Sequence, residues 1–183
     1  MSISKLLELS PPPSHPVEGA SDSDWALVEK MLGREYPSDV KEISGRYGSG
    51  CFGAFIWVLN PSSKNQHLRL PNILEQLNIE FTNLRADGFP IPYEWHDSPN
   101  GNLLWGVTDN GDRFYWNGVE TVVVESSNSM DWEEFRMSVS SFLHKTLNRS
   151  IRPRCFPADW STLNIRRFYP LGEDYFVDIE NAR

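Results

Sequence analysis

Cysteine is scarce in this chain: two residues, Cys51 and Cys155, lie far apart among 183. That excludes a disulfide-dense scaffold, and the pair looks like that of an intracellular protein. Long apolar runs are missing too. No stretch approaches the ~20 consecutive apolar residues that a membrane-spanning helix needs. No basic-then-apolar segment opens the sequence. A cytoplasmic protein without a membrane association is the expectation, and the Asn148-Arg149-Ser150 sequon carries no weight in that setting. Bases are outnumbered, 17 against 25 acids, for a formal charge of −8. Nucleic acid needs concentrated Lys and Arg, so direct nucleic-acid binding is not expected. A basic protein partner fits this balance better, although surplus charge also serves solubility.

Chemical motifs are missing as well. The histidines His15, His67, His96 and His144 form no HExxH and match neither cysteine by spacing, so no metal is expected. No GxGxxG, P-loop or GxSxG occurs, and no cofactor is expected. The most enzyme-like pair is His96-Asp97, after Glu94 in a proline-rich loop. It supports an alternative reading as a hydrolase or small-molecule binder. Adjacent residues rarely face each other, however, and no activated nucleophile completes a triad. No catalytic residue is assigned.

What the chain does have is apolar bulk. Hydrophobic residues make up 39%, with seven Trp, six Tyr and ten Phe. One domain with a substantial core follows. Residues 1–20, with Pro11, Pro12, Pro13 and Pro16, read as an extended lead-in. Ser21 or Asp22 caps a helix running to about Leu32, with Trp25, Val28 and Leu32 on one face and Gly33 as terminator. Pro37 opens a second helix, whose apolar face is Val40, Ile43 and Tyr47. Residues 52–59 are apolar on both faces and predict one covered strand. Pro71 starts a helix that ends near Gly88. From Asp131-Trp132 a final helix is predicted, with Trp132, Phe135, Val139, Phe142, Leu143 and Leu147 at helical spacing.

Between these lies "LLWGVTDNGDRFYWNG". Residues 103–108 and 113–116 predict strands, and 120–126 a third, in an antiparallel meander. Asp109-Asn110-Gly111-Asp112 falls where a hairpin needs a residue at positive φ. A calcium loop would need more oxygen ligands and a closing Glu. The two acids therefore mark a turn.

After Leu147 the composition changes. Residues 148–167 hold Arg149, Arg152, Arg154, Arg166 and Arg167 against Asp159 alone, a net +4. This segment, with Phe156, Trp160, Phe168 and Tyr169 as anchors, predicts an extension over 148–183 docked on the acidic domain. "DYFVDIE" predicts an edge strand near 175–179.

Three places together resemble the SUKH superfamily, which includes the fungal cell-wall-synthesis regulators and many bacterial toxin-immunity proteins. The first is the Trp25–Gly33 helix leading into "YPSDVKEISGRYGSG", similar to the family's Leu-Pro and Tyr-Gly-x-Gly segment. Tyr36-Pro37 stands where Leu-Pro is usual, and Val40 where an aromatic is common. The second is the entry into the sheet at Phe52. The third is "DNGDRFYWN", the strand "VVVE" and the helix "WEEFRMSVSSFL". The resemblance covers residues 21–147 and implies an α+β fold, a curved, largely antiparallel sheet packed against helices. It implies a non-enzymatic protein-binding domain, of the immunity type against a basic, nuclease-like toxin, or alternatively a regulatory scaffold. The expected partner surface is Asp109, Asp112 and Glu120, with Tyr115 and Trp116 as aromatic anchors. The oligomeric state is left open between monomer and dimer.

Overall fold

A computed structural model describes residues 3–89, 91–94, 98, 100–118, 120–129, 131–158, 160 and 166–172. The fold is α+β. Among the described residues five helices surround an open, wholly antiparallel sheet of seven strands. The helices are α1 (Ser4–Leu9), α2 (Asp22–Leu32), α3 (Ser38–Tyr47), α4 (Leu70–Ala86) and α5 (Val139–Leu147). The strands are β1 (Gly50–Phe52), β2 (Ile56–Val58), β3 (Leu103–Thr108), β4 (Arg113–Trp116), β5 (Val122–Glu125), β6 (Trp132–Phe135) and β7 (Phe168–Pro170). Their order is β6-β5-β4-β3-β2-β1-β7. No helix among the described residues is long and apolar enough to cross a membrane.

Local chemistry sets the helix ends. Ser21 caps α2 in a reciprocal box with Asp24, and Gly33 ends it at φ 64°. Both satisfy backbone groups that a helix terminus leaves open. α2 and α3 meet where the buried Trp25 Nε1 donates to Ser44 Oγ at 2.9 Å. Trp25 also packs on Tyr36, whose hydroxyl donates to Leu104 O at 2.9 Å and so ties this corner to β3.

Register places every side chain of the sheet on one of two faces. Phe114 meets Phe142 of α5 at 5.6 Å between ring centroids, and Trp105 stacks on Phe114 at 5.1 Å. Farther along, Phe52 and Phe168 pack against Tyr47 of α3. On the opposite face one cross-strand row runs Tyr169, Cys51, Trp57, Val107, Arg113, Glu125, Trp132. Arg113 in that row is forked onto Glu80 of α4, with Nη1–Oε1 at 3.0 Å and Nη2–Oε2 at 2.6 Å. Helices therefore cover both faces.

Three expectations change. The lead-in over residues 1–20 is not wholly extended: α1 forms before the prolines, and Ile3 and Leu6 join the core. α1 packs along α5, and Ser10 closes it because the residue before a proline is pushed out of the helical region. The single strand over 52–59 is two strands. Gly53 and Ala54 sit at φ 59° and 53°, which makes a tight hairpin turn whose apolar composition hid it. The helix expected from Trp132 begins only at Val139, because residues 132–135 pair with β5 as a strand. Ser138 is the true cap, accepting from Ser141 N. Trp132, Phe135 and Val139 share helical spacing by coincidence. The edge strand β7 lies at 168–170, and the segment expected at 175–179 falls outside the described residues. In the Arg-rich extension Phe156, Trp160 and Phe168 are buried in the main core, with Phe156 and Trp160 both against Phe55.

Two substitutions test this packing. Leu6→Ala lowers unfolding free energy by about 3 kcal/mol if α1 is integral to the core. A urea midpoint equal to wild type would show it is not. Arg113→Ala leaves Glu125 without its cation and costs about 2 kcal/mol, less than a fully buried pair because Arg113 and Glu80 are part exposed. The same urea titration reads it.

Candidate functional site

The meander turns the chain back at two ends. The β3–β4 turn (109–112) and the β5–β6 turn (126–131) lie together at one end, and the β4–β5 turn (117–121) lies at the other. The first turn forms as its residues dictate: Gly111 takes φ 84°, its N–H donates to Thr108 O at 3.0 Å, and Thr108 N donates to Asp112 O at 2.9 Å. The Asp112 carboxylate then does structural work. It accepts from Thr108 Oγ1 at 2.7 Å and from Ser127 N at 3.0 Å, stitching one turn to the next. Ser127 Oγ completes the stitch by donating to Asn110 O at 2.7 Å.

The surface expected from sequence does not assemble. Asp112 is 1% exposed and Tyr115 0%, so neither presents itself to a partner. Tyr115 donates to Glu125 Oε2 at 2.7 Å, and burial pushes its hydroxyl well above the usual range. Trp116 is half-buried at the end of β4. Glu120 is exposed at φ 47°, but it belongs to the opposite end from Asp109. Only Asp109 of the five is an exposed group at the stitched turns. Its Oδ1 accepts from Trp57 Nε1, and burial against its neighbours raises its carboxyl above the ordinary 3.8 despite that bond.

Other residues join Asp109 there, all missed in the sequence. Asp131 is exposed, and Trp132 and Glu133 are half-buried. Trp132 packs on Tyr93 at 5.1 Å and Tyr115 at 6.0 Å. A hollow of about 270 Å³ opens among Ser126, Asn128, Asp131, Glu133, Arg154 and Cys155. Arg154 spans its rim, donating from its backbone N to Glu133 Oε2 at 2.9 Å and from Nη2 to Trp132 O at 3.2 Å. The signal that would have found this group is strand pairing at 132–135, which the apparent helical spacing concealed.

The reactive groups are held quiet. Burial, with the charge of Asp109, pushes the Cys51 thiol up. Burial, with Asp112, pushes the Cys155 thiol to about 12. Thiols so placed stay protonated near neutral pH and are poor nucleophiles. No group of three or more metal-ligating side chains converges among the described residues. His96 and Asp97 lie outside the described residues. Gly50 serves the packing of the backbone: a Cβ there would run into Tyr169 O and the Phe168 ring.

One carboxylate is surrounded by donors in the manner of a ligand site. Glu18, at φ 56°, accepts from Ser49 Oγ at 2.8 Å, Ser63 Oγ at 2.9 Å and Lys64 N at 3.0 Å. Burial raises its carboxyl, but these bonds outweigh it and hold the group below the ordinary 4.5. All its donors are the chain's own, so it fastens the N-terminal segment to β1 and the loop after β2. Its stabilisation is present above the unfolded value and lost as pH falls through the folded one. Glu18→Gln therefore lowers unfolding free energy by about 1 kcal/mol at neutral pH. That gap closes as pH drops below 4.5, and a pH series of urea melts measures it. Comparison with known protein families, with curated proteins and with solved structures finds no match for this chain.

Proposed function

We propose that this chain is a non-enzymatic protein-binding domain of the immunity type, which binds and neutralises a basic toxin. The observation that carries the reading is the stitched turn end. Asp109 stands there against the half-buried indole of Trp57 on β2, and Asp131 adjoins the half-buried Trp132 on β6 farther along the same end, with Glu133 on the other sheet face. Indoles in a partly desolvated setting make strong interface anchors, and acids around them steer a basic protein in. The wider acid surplus, 25 against 17, acts in the same sense at longer range. The likeness of "YPSDVKEISGRYGSG" and "DNGDRFYWN" to the SUKH superfamily supports the same reading. The mechanism is occlusion: a rigid sheet end covers the toxin's working surface, and no bond is made or broken.

The reading relocates the partner surface. Asp109 stays, Asp112 and Tyr115 leave it as structural residues, and Asp131, Trp132 and Glu133 enter. Affinity capture from lysate of the source organism is the test, run at low and high salt. Wild type retains one basic protein at low salt and loses most of it at high salt. The Asp131→Lys variant, at an exposed position, retains about tenfold less at unchanged melting temperature. Equal retention by the variant, or no basic protein at low salt, overturns the proposal.

A further inference from the structure

The largest exposed apolar side chains of α2 do not face the core. Leu27 is 71% exposed and Met31 57%, one helical turn apart on the flank of α2 away from Trp25 and Val28. Beside them a groove of two adjoining hollows lies between α2 and the first turns of α4. One part, of about 500 Å³, is lined by Leu27, Met31 and Pro71, with Lys64, Arg69 and Asp24 at its rim. The other, of about 470 Å³, is lined by Met31, Leu32, Pro71 and Leu74, with Glu75 at its rim. Met31 and Pro71 belong to both and so mark the middle.

Charge is distributed unevenly along this groove. Lys64 and Arg69 stand exposed at one end and Glu75 at the other. Asp24 at the basic end is engaged, its carboxylate accepting from Ser21 N and Ser21 Oγ. The rim has no net acidity to attract a basic protein. It does complement itself. A two-fold axis through Met31 and Pro71 sets Lys64 and Arg69 of one copy over Glu75 of the next, and repeats that pairing on the other side. The same rotation lays Leu27 over the Leu32–Leu74 end. A surface that matches itself under a two-fold is what an isologous dimer requires.

We infer that the α2–α4 groove is a self-association surface, whose occupant is a second copy of this chain. The inference is independent of the partner proposed for the turn end, because the two surfaces share no residue. Leu27 and Met31 are the exposed large apolar side chains it offers, so the dimer is weak, with a dissociation constant on the order of micromolar.

Sedimentation equilibrium over the micromolar range tests it with three variants. Wild type rises in weight-average mass from 21.0 kDa toward twice that value. Met31→Glu stays monomeric, as does Glu75→Lys, which sets like charges against each other twice. Lys64→Glu/Arg69→Glu also stays monomeric for the same reason. An equimolar mixture of Glu75→Lys with Lys64→Glu/Arg69→Glu regains the dimer, since both cross-pairs are again opposite in sign. All altered residues are exposed, and because the Lys64 charge stands beside Glu18, far-UV circular dichroism and melting temperature are read for each variant to show that its fold is intact. A wild type that stays at 21.0 kDa overturns the inference. So does a dimer indifferent to Met31→Glu, or a mixture that fails to re-associate. Dependence on another protein for mass above the monomer would assign the groove to that protein and overturn the second copy as occupant.

Discussion

Arg113 is the charge on which the two sides of the fold depend. It stands mid-sheet in a row otherwise made of aromatic, aliphatic, thiol and carboxylate side chains, and it has left most of its water. Taking a guanidinium from water is costly unless every donor finds an acceptor. Here the fork meets Glu80 with two bonds, and Glu125 stands 3.6 Å away across the strand. Glu125 in turn receives the Tyr115 hydroxyl. A planar fork accepts a carboxylate in few orientations, so the contact fixes both the height and the rotation of α4 over the sheet. Burial raises the Glu125 carboxyl against the pull of Tyr115 and Arg113, while Glu80 and Glu125 hold the Arg113 guanidinium charged against its own burial.

With α4 fixed, the rest of the molecule divides. The face bearing Phe114, Phe52 and Phe168 is an aromatic core closed by α3 and α5. α2 rides over this assembly through Trp25 and Tyr36, which leaves its far flank outward beside the start of α4. The acid-and-indole turn end and the neutral apolar groove therefore belong to different elements.

Much of this was legible in the sequence, for physical reasons that can be named. α2 and α3 declare themselves through Ser21, Gly33, Pro37 and Gly48, since caps are local chemistry. The Asp109–Asp112 turn is equally local. The losses come from non-local pairing. Trp132-Glu133-Glu134-Phe135 has no strand signal of its own and becomes a strand because β5 offers it partners. Asp109 and Glu120 are close in sequence, yet one strand reverses the chain between them and sets them at opposite ends. Asp112 reads as a surface acid until Thr108 and Ser127 are seen to enclose it. Tyr115 and Trp116 alternate on a strand covered on both faces, so polarity could not tell which one was outward. Gly53-Ala54 makes a turn with no polar residue to announce it.

The pairing of β1 with β7 joins residue 50 to residue 170, the longest reach in the sheet. On the ribosome β1 has β2 as its only strand neighbour until residues 168–170 emerge, so one edge of the growing sheet stands open for most of synthesis. Closing so long a loop is slow, and an open edge invites pairing with other chains. Gly50 permits the closure, because a Cβ there would run into Tyr169 O and the Phe168 ring. The last strand is thus a late seal: until residue 168 emerges, the β1 edge and the Phe52–Tyr47 end of the core both wait for their final partner, Phe168.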